Sequence, residues 1–314
     1  MKSVLVTGGA GFIGSHVCEY LLNKNYTVRV LDNLSTGYIK NIEHLLKVPN
    51  FEYMYGDITN LELVRKACKN IDIIVNLAAI PSVPRSVEDP LSTHNSNVNG
   101  FMNILMVAKE YNIKRIVYAS SSSVYGDNAT LPKKESEIGN QLSPYAVNKY
   151  INELYANLFT KLYGMETIGL RFFNVFGPKQ DPNSPYSSAI SKFINCVLNN
   201  ERPTINGTGD ISRDFTYIDN VVSFIYLSIS TDNQKCFGNV YNVGCGNQIT
   251  ILELLETIKQ YLKSNIEAIF GPARIGDAKH SCADLTAGQN DLNYKIVQTF
   301  EEGVVKTIEY YKNN

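Results

Sequence analysis

Over the first 120 residues, apolar positions cluster into short, nearly continuous runs separated by longer helical stretches. Ser3-Val4-Leu5-Val6 leads to a helix near 12–24, and Thr27 to Leu31 to a loop. Phe51 to Tyr55, a helix near 60–69, Ile71 to Leu77, a long helix near 91–111 and Arg115 to Ala119 continue the alternation. A run apolar at every position suits a strand covered on both faces. Strands of this kind alternating with helices predict βαβ units around a parallel sheet. The expected class is α/β, a doubly wound (Rossmann) sheet.

After a helix near 144–163 and a strand near 166–173, the pattern loosens into Pro-, Asn- and Gly-rich loops at 174–186 and 202–214. Helices near 187–199, 218–230 and 250–263 follow, with a strand at Asn239 to Val243 between the last two. The expected division is residues 1–173 for a nucleotide-binding domain and 174–314 for a smaller α/β substrate domain, with some interleaving of segments.

Composition narrows the partners. With 29 Lys plus Arg against 30 Asp plus Glu, no global field would hold the chain on nucleic acid or an anionic membrane, so an anionic ligand needs a local site. Cys18, Cys68, Cys196, Cys236, Cys245 and Cys282 are scattered without a CxxC pair, which predicts reduced thiols and no metal site. Residues 1–7 lack the longer apolar segment and cleavage site of a signal peptide, and no apolar run approaches 18 residues. The expected address is the cytoplasm, with no membrane partner.

The first strand ends in Gly8-Gly9-Ala10-Gly11-Phe12-Ile13-Gly14 and runs into a helix. Gly8, Gly11 and Gly14 would allow the tight turn, the close approach of backbone to a pyrophosphate and tight helix–strand packing. The helix N-terminus would face the phosphates with free N–H groups. Asp32 closes the second strand near the spacing at which a carboxylate meets the adenosine ribose and repels a 2′-phosphate. NAD is therefore expected over NADP. Asp32 before Asn33, and Asp57 after Gly56, are also ordinary turn signals.

Tyr145 and Lys149 follow Ser143-Pro144, a helix start with Pro in its first turn, and their spacing places both on one helix face. An ionised tyrosine near neutral pH needs about 4 kcal/mol relative to a free phenol. Lys149 and the positive ring of NAD would supply it by favouring the phenolate. Among 20 tyrosines such a pair also arises as a surface Tyr beside a solvated Lys. The run Ser120-Ser121-Ser122-Ser123-Val124-Tyr125-Gly126 favours the chemical reading: it follows the fifth strand, and ligands sit beyond the carboxyl ends of such strands. A hydroxyl there can hydrogen-bond the oxygen whose proton moves. A serine run can otherwise be a flexible loop.

On these motifs the chain resembles the extended short-chain dehydrogenase/reductase family, and within it the UDP-hexose 4-epimerases, most closely the branch acting on UDP-N-acetylglucosamine. The likeness extends from Val6-Thr7-Gly8-Gly9 to Arg274-Ile275-Gly276-Asp277. It implies Ser121, Tyr145 and Lys149 as the catalytic set, with Ser122 and Ser123 supporting. It implies a cofactor wall of Gly8, Gly11, Phe12, Ile13, Gly14, Asp32, Asn33, Asp57, Ile58, Leu77, Ala78 and Ala79. Asn174, Arg213 and Arg274 would meet the diphosphate, two arginines matching its oxygens bidentately, and Asp277 the uridine ribose. Either arginine has an ordinary surface salt bridge as its other reading.

The implied reaction moves the C4 hydride of a UDP-sugar to NAD and returns it to the other face, without net oxidation. Ser122-Ser123 stand where sugar-nucleotide 4,6-dehydratases carry an acidic pair, so water elimination is disfavoured. Ser281 matches the gate beside the C2 substituent, where a small side chain leaves room for an N-acetyl group; its other reading is a plain loop serine. Ser82 and Arg85, after the fourth strand, would cover the sugar, and Arg85 would suit an acidic one, the second substrate class. A regulatory NAD-binding module, or a net oxidoreductase or decarboxylase, are the readings from other classes. The family likeness further implies a homodimer packed through the helices near 91–111 and 144–163.

Overall fold

The structure is a computed structural model and describes residues 1–182, 188–272 and 280–313. The chain runs β1 (Ser3–Thr7), α1 (Phe12–Asn23), β2 (Thr27–Asp32), β3 (Phe51–Tyr55), α2 (Leu61–Cys68), β4 (Ile73–Asn76), α3 (Val83–Glu88), α4 (Pro90–His94), α5 (Gly100–Glu110), β5 (Arg115–Ser121), α6 (Pro144–Tyr163) and β6 (Glu166–Phe172). It continues through β7 (Asn174–Phe176), α7 (Ala189–Leu198), β8 (Thr204–Asn206), β9 (Ser212–Arg213), β10 (Phe215–Tyr217), α8 (Ile218–Ser230), β11 (Asn239–Val243), β12 (Ile249–Thr250), α9 (Ile251–Leu262), β13 (Ile269–Gly271), α10 (Thr286–Leu292) and α11 (Phe300–Asn313).

Seven strands make one parallel sheet in the order β3-β2-β1-β4-β5-β6-β11. Successive strand residues point to opposite faces, and here both faces are covered. Val4, Val6, Val28, Val30 and Val75 pack on the side of α1 and α8, while Leu5, Leu31, Ile74 and Ile116 pack on the side of α2 and α5. That double burial is why the strands read as unbroken apolar runs. The doubly wound sheet expected from the alternation is present, with β11 from the second half as its edge strand on β6.

The helix expected near 91–111 is α4 and α5 joined by a π turn at Asn95–Asn99. The widened turn carries Asn97, whose side chain accepts from Ile80 N at 2.7 Å and donates to Ile80 O at 3.1 Å. The loop after β4 is thereby fixed. Helix α6 begins as its sequence predicts: Pro144 stands in the first turn and Ser143 Oγ accepts from Ala146 N at 3.2 Å. It ends at Gly164 with φ of 64°.

Helices α10 and α11 were not anticipated. Helix α11 is rich in charged and polar residues, yet Phe300, Val304 and Ile308, four apart, bury one stripe of it.

The second half is gathered around Asp214, a fully buried residue between β9 and β10. Its carboxylate accepts from the backbone N–H groups of Cys245 (2.8 Å), Gly246 (2.9 Å) and Ala283 (3.0 Å). Burial pushes this carboxyl above the usual range, while those N–H groups work against the rise. Its backbone also donates to Ser281 Oγ at 3.3 Å and accepts from Asn174 N at 3.0 Å. One residue thus ties the turn after β11, the segment before α10 and the start of β7 together. Asp214→Ala would leave three buried donors without an acceptor, at about 1–3 kcal/mol each. Urea unfolding followed by circular dichroism should show a total loss of about 3 kcal/mol or more, with Asp214→Asn losing less. A parent-like midpoint for the alanine variant would show that the hub contributes little.

Candidate active site

The sheet order reverses between β1 and β4, where connections from neighbouring strands leave toward opposite faces and open a crevice. A cleft of about 490 Å³ occupies that position. Its floor is the loop between β1 and α1. Gly8 has φ of 70°, and a Cβ there would lie 2.7 Å from Ala78 N. A Cβ on Gly14 would lie 2.2 Å from Gly8 O, so helix and strand meet backbone to backbone. The bare N-terminus of α1 has no side-chain cap at Gly11. Gly8, Gly11 and Gly14 thus present backbone to the cleft at a helix N-terminus, a surface of the kind that accepts anions.

Asp32 sits beside the loop, buried. It accepts from Ala10 N at 2.9 Å and Leu34 N at 2.7 Å. Burial pushes its carboxyl up, and these two N–H bonds pull it down. It therefore does form the turn that its sequence permits. A carboxylate has about four acceptor sites, so two remain for a ribose at the cleft it lines. Asp57 accepts from Asn33 Nδ2 at 2.6 Å and from Thr59 N and Oγ1 at 2.8 Å. Burial acts to raise it, but those bonds outweigh burial and hold it below the usual range. Phe12, Ile13, Ile58, Leu77, Ala78 and Ala79 complete this end of the cleft.

At the other end stand Ser121, Tyr145 and Lys149. The end of β5 brings Ser121, whose Oγ accepts from Ser123 N at 3.1 Å and Ser123 Oγ at 2.9 Å. The first turn of α6 brings Tyr145, whose N–H donates to Ser86 Oγ at 3.1 Å. A turn later Lys149 donates from Nζ to Ala119 O at 2.9 Å, its ammonium 5.8 Å from the Tyr145 ring centre. Burial pushes the Tyr145 phenol up to about 12, with its hydrogen bond to Ser121 acting the other way. Burial lowers Lys149 to about 8, against the pull of Glu153. Ionising Tyr145 near pH 7 thus demands about 7 kcal/mol rather than the ~4 of a free phenol.

Ser82, Arg85, Ser122 and Asn174 also line the cleft. Ser82 caps α3 by accepting from Arg85 N at 3.1 Å, which aims the following turn. Ser123 supports Ser121 from outside the lining. Arg213 and Ser281 do not line it either: Arg213 donates to Ser212 O at 2.9 Å, and Ser281 is bonded to Ser212 and Asp214. Arg274 and Asp277 lie outside the described residues. Reading along the chain missed Ser35, Thr36, Ser96, Gln180 and Asp181, which also face the cleft. Tyr38 Oη donates to Asp181 at 2.7 Å, joining two loops 143 positions apart. No spacing rule connects such pairs.

The comparisons agree with this architecture. Residues 4–244 match the NAD dependent epimerase/dehydratase family. The UDP-N-acetylglucosamine 4-epimerase from Methanobrevibacter ruminantium, solved with UDP-N-acetylmuramic acid, superposes with a TM-score of 0.94 at 39% identity, over 99% of this chain and 98% of that one. The UDP-glucose 4-epimerase of Thermotoga maritima, solved with UDP-glucose, gives 0.93 at 32% identity, over 99% of each chain. The UDP-glucuronic acid 4-epimerase of Bacillus cereus, solved with UDP-glucuronic acid and NAD, gives 0.92 at 30%, again over 99% of each. With the glycine turn, Asp32 and the Ser121/Tyr145/Lys149 cluster at the switch point of such a sheet, this chain belongs to the NAD dependent epimerase/dehydratase family.

Proposed function

We propose that the protein inverts C4 of a UDP-hexose through a 4-keto sugar, with UDP-N-acetylglucosamine and UDP-N-acetylgalactosamine as preferred substrates and the UDP-glucose pair accepted. The observation that carries this reading is the convergence of Ser121, Tyr145 and Lys149 on the cleft that holds the glycine turn. Residues 1–173 would carry NAD and 174–314 the UDP-sugar, with β11 crossing into the sheet.

When bound, NAD supplies a reversible two-electron store and a positive ring beside Tyr145. Gly8, Gly11 and Gly14 would hold its pyrophosphate and Asp32 its ribose. Tyr145 removes the proton of the 4-hydroxyl as the ketone forms, and returns it after the sugar has presented its other face. Ser121 holds the same oxygen by a hydrogen bond, itself oriented by Ser123. Lys149, pinned to Ala119 O, binds the nicotinamide ribose and adds positive charge near the phenol. Asn174, Arg213 and Arg274 would bind the diphosphate and Asp277 the uridine ribose; Arg213 would have to turn toward the cleft.

The N-acetyl preference is supported by the small side chain at Ser281 and by the likeness to the M. ruminantium enzyme. Ser281 stands outside the cleft lining, its hydroxyl engaged by Asp214 N, so its place at the gate is what the family likeness implies. Acidic UDP-sugars form the second reading, because Arg85 presents a cation to the cleft. A homodimer is proposed on α5 and α6, where Met106, Val147, Leu154, Leu158 and Leu162 are exposed.

Incubation with UDP-N-acetylglucosamine, UDP-glucose or UDP-glucuronic acid, followed through the anomeric protons by NMR, tests the reading. Conversion of the N-acetyl sugar is expected, and Tyr145→Phe should slow it at least ~100-fold. Conversion of UDP-glucose alone would remove the argument from Ser281, conversion of the uronate alone would favour the Arg85 reading, and no conversion of any would sink the proposal. Gly14→Ala is expected to purify without NAD, read from the absorbance of an acid-released nucleotide; parent-like NAD content would place the pyrophosphate elsewhere. In sedimentation at micromolar concentration the parent should run as a dimer and Leu158→Glu as a monomer, and a monomeric parent would overturn the dimer.

A further inference from the structure

Three consecutive residues at the end of β5 are each bonded to α6. Ala119 O accepts from Lys149 Nζ at 2.9 Å, Ser120 Oγ donates to Glu153 Oε1 at 2.5 Å, and Ser121 is bonded to Tyr145. Tyr145, Lys149 and Glu153 are spaced by four and share one helix face. The mechanism above employs the outer two contacts and leaves the middle one without a role. Glu153 is buried behind the cleft and is not part of its lining. Arg171 closes it from β6, donating from Nε at 2.9 Å and Nη2 at 2.8 Å. Arg171 in turn donates to Glu135 O at 3.0 Å and lies 4.8 Å from the Tyr125 ring centre.

A buried ion pair is often no more stabilising than an apolar pair of the same volume, so fold stability alone does not account for this one. We infer that Glu153, held by Arg171, is a positioning residue of the same reaction: its charge keeps Lys149 cationic, and its bond to Ser120 sets Ser121 opposite Tyr145. The inference rests on the epimerase reading of the site. Burial acts to neutralise Lys149, bringing it to about 8, and the Glu153 carboxylate opposes that fall. With the carboxylate gone, more of Lys149 is neutral at physiological pH, and a neutral amine no longer favours the phenolate. Among the described residues, the other ionisable groups facing this cluster are Tyr118 from β5, Arg171 from β6, Tyr125 from the turn after β5, Glu135 from the loop before α6, and His94 from α4, bonded to Asn148 at 3.2 Å.

The test reads Lys149 directly. Holoenzyme labelled with 13C at the lysine ε-carbons, with the Lys149 signal assigned through Lys149→Arg, is titrated as parent, Glu153→Gln and Ser120→Ala, and kcat and KM are followed against pH. Glu153→Gln should move the Lys149 midpoint and the basic limb of kcat together to lower pH. It should reduce kcat about 10–100-fold, as loss of an outer partner that orients an active group does, with KM changing less. Ser120→Ala should reduce kcat and leave the Lys149 midpoint in place. An unchanged midpoint in Glu153→Gln overturns the inference. Should that variant fail to fold around an unpaired Arg171, Glu153→Gln with Arg171→Met is compared with Arg171→Met alone, and equal Lys149 midpoints in the two overturn it. A parent inactive on every UDP-sugar would defeat the epimerase reading, while the lysine titration would still decide what Glu153 does to Lys149.

Discussion

Parallel strands all end on the same edge of a sheet, and the reversal of strand order between β1 and β4 forces neighbouring connections apart at that edge. Everything functional in this protein depends on that opening. The connection after β1 contributes the glycine turn, β2 ends in Asp32, the connection after β4 carries Ser82 and Arg85, and β5 ends in the serines. Segments far apart in the chain converge because each strand delivers its own loop to one rim. The apolar runs that make the strands can tolerate no exposure, so helices cover both faces and leave the rim as the place where polar side chains collect.

Burial then sets the chemistry. Burial drives Tyr145 up to about 12 and Lys149 down to about 8, each toward its neutral form. The protein answers with fixed groups rather than solvent: Ser121 on the phenol, Ala119 O on the ammonium, Glu153 one turn further along α6 and Arg171 behind it. The contacts join three consecutive strand residues, Ala119, Ser120 and Ser121, to three successive turns of one helix face, at Lys149, Glu153 and Tyr145. A shift of α6 along β5 by one turn would break all of them together, which makes strand–helix registry the quantity that holds the site in tune.

A different device organises the second half. There, β11 apart, the strands are two or three residues long and supply little of their own cohesion, and a single buried carboxylate, Asp214, collects N–H groups from segments that no sheet joins. Arg213 and Ser281 flank that hub, which pins loops that the apolar packing of α7, α8 and α9 leaves unjoined.

By itself the sequence determined the alternation of strands and helices, the glycine turn, the pairing of Tyr145 with Lys149 and the serines after β5. Each rests on a short-range rule of period, cap or spacing that holds wherever the segment ends up. Helices α10 and α11 escaped that reading because their burying stripes are sparse, and the π turn at Asn95–Asn99 because a widened turn leaves the apolar period nearly intact. The tertiary structure alone decided that β11 joins the sheet, that Asp181 faces Tyr38 and that Glu153 stands behind Lys149. It also bonded Arg213 to Ser212 O and Ser281 to Asp214 N, outside the cleft lining, and by burial it raised the cost of ionising Tyr145. Those outcomes depend on which distant segments exclude water from one another, and no local spacing encodes that.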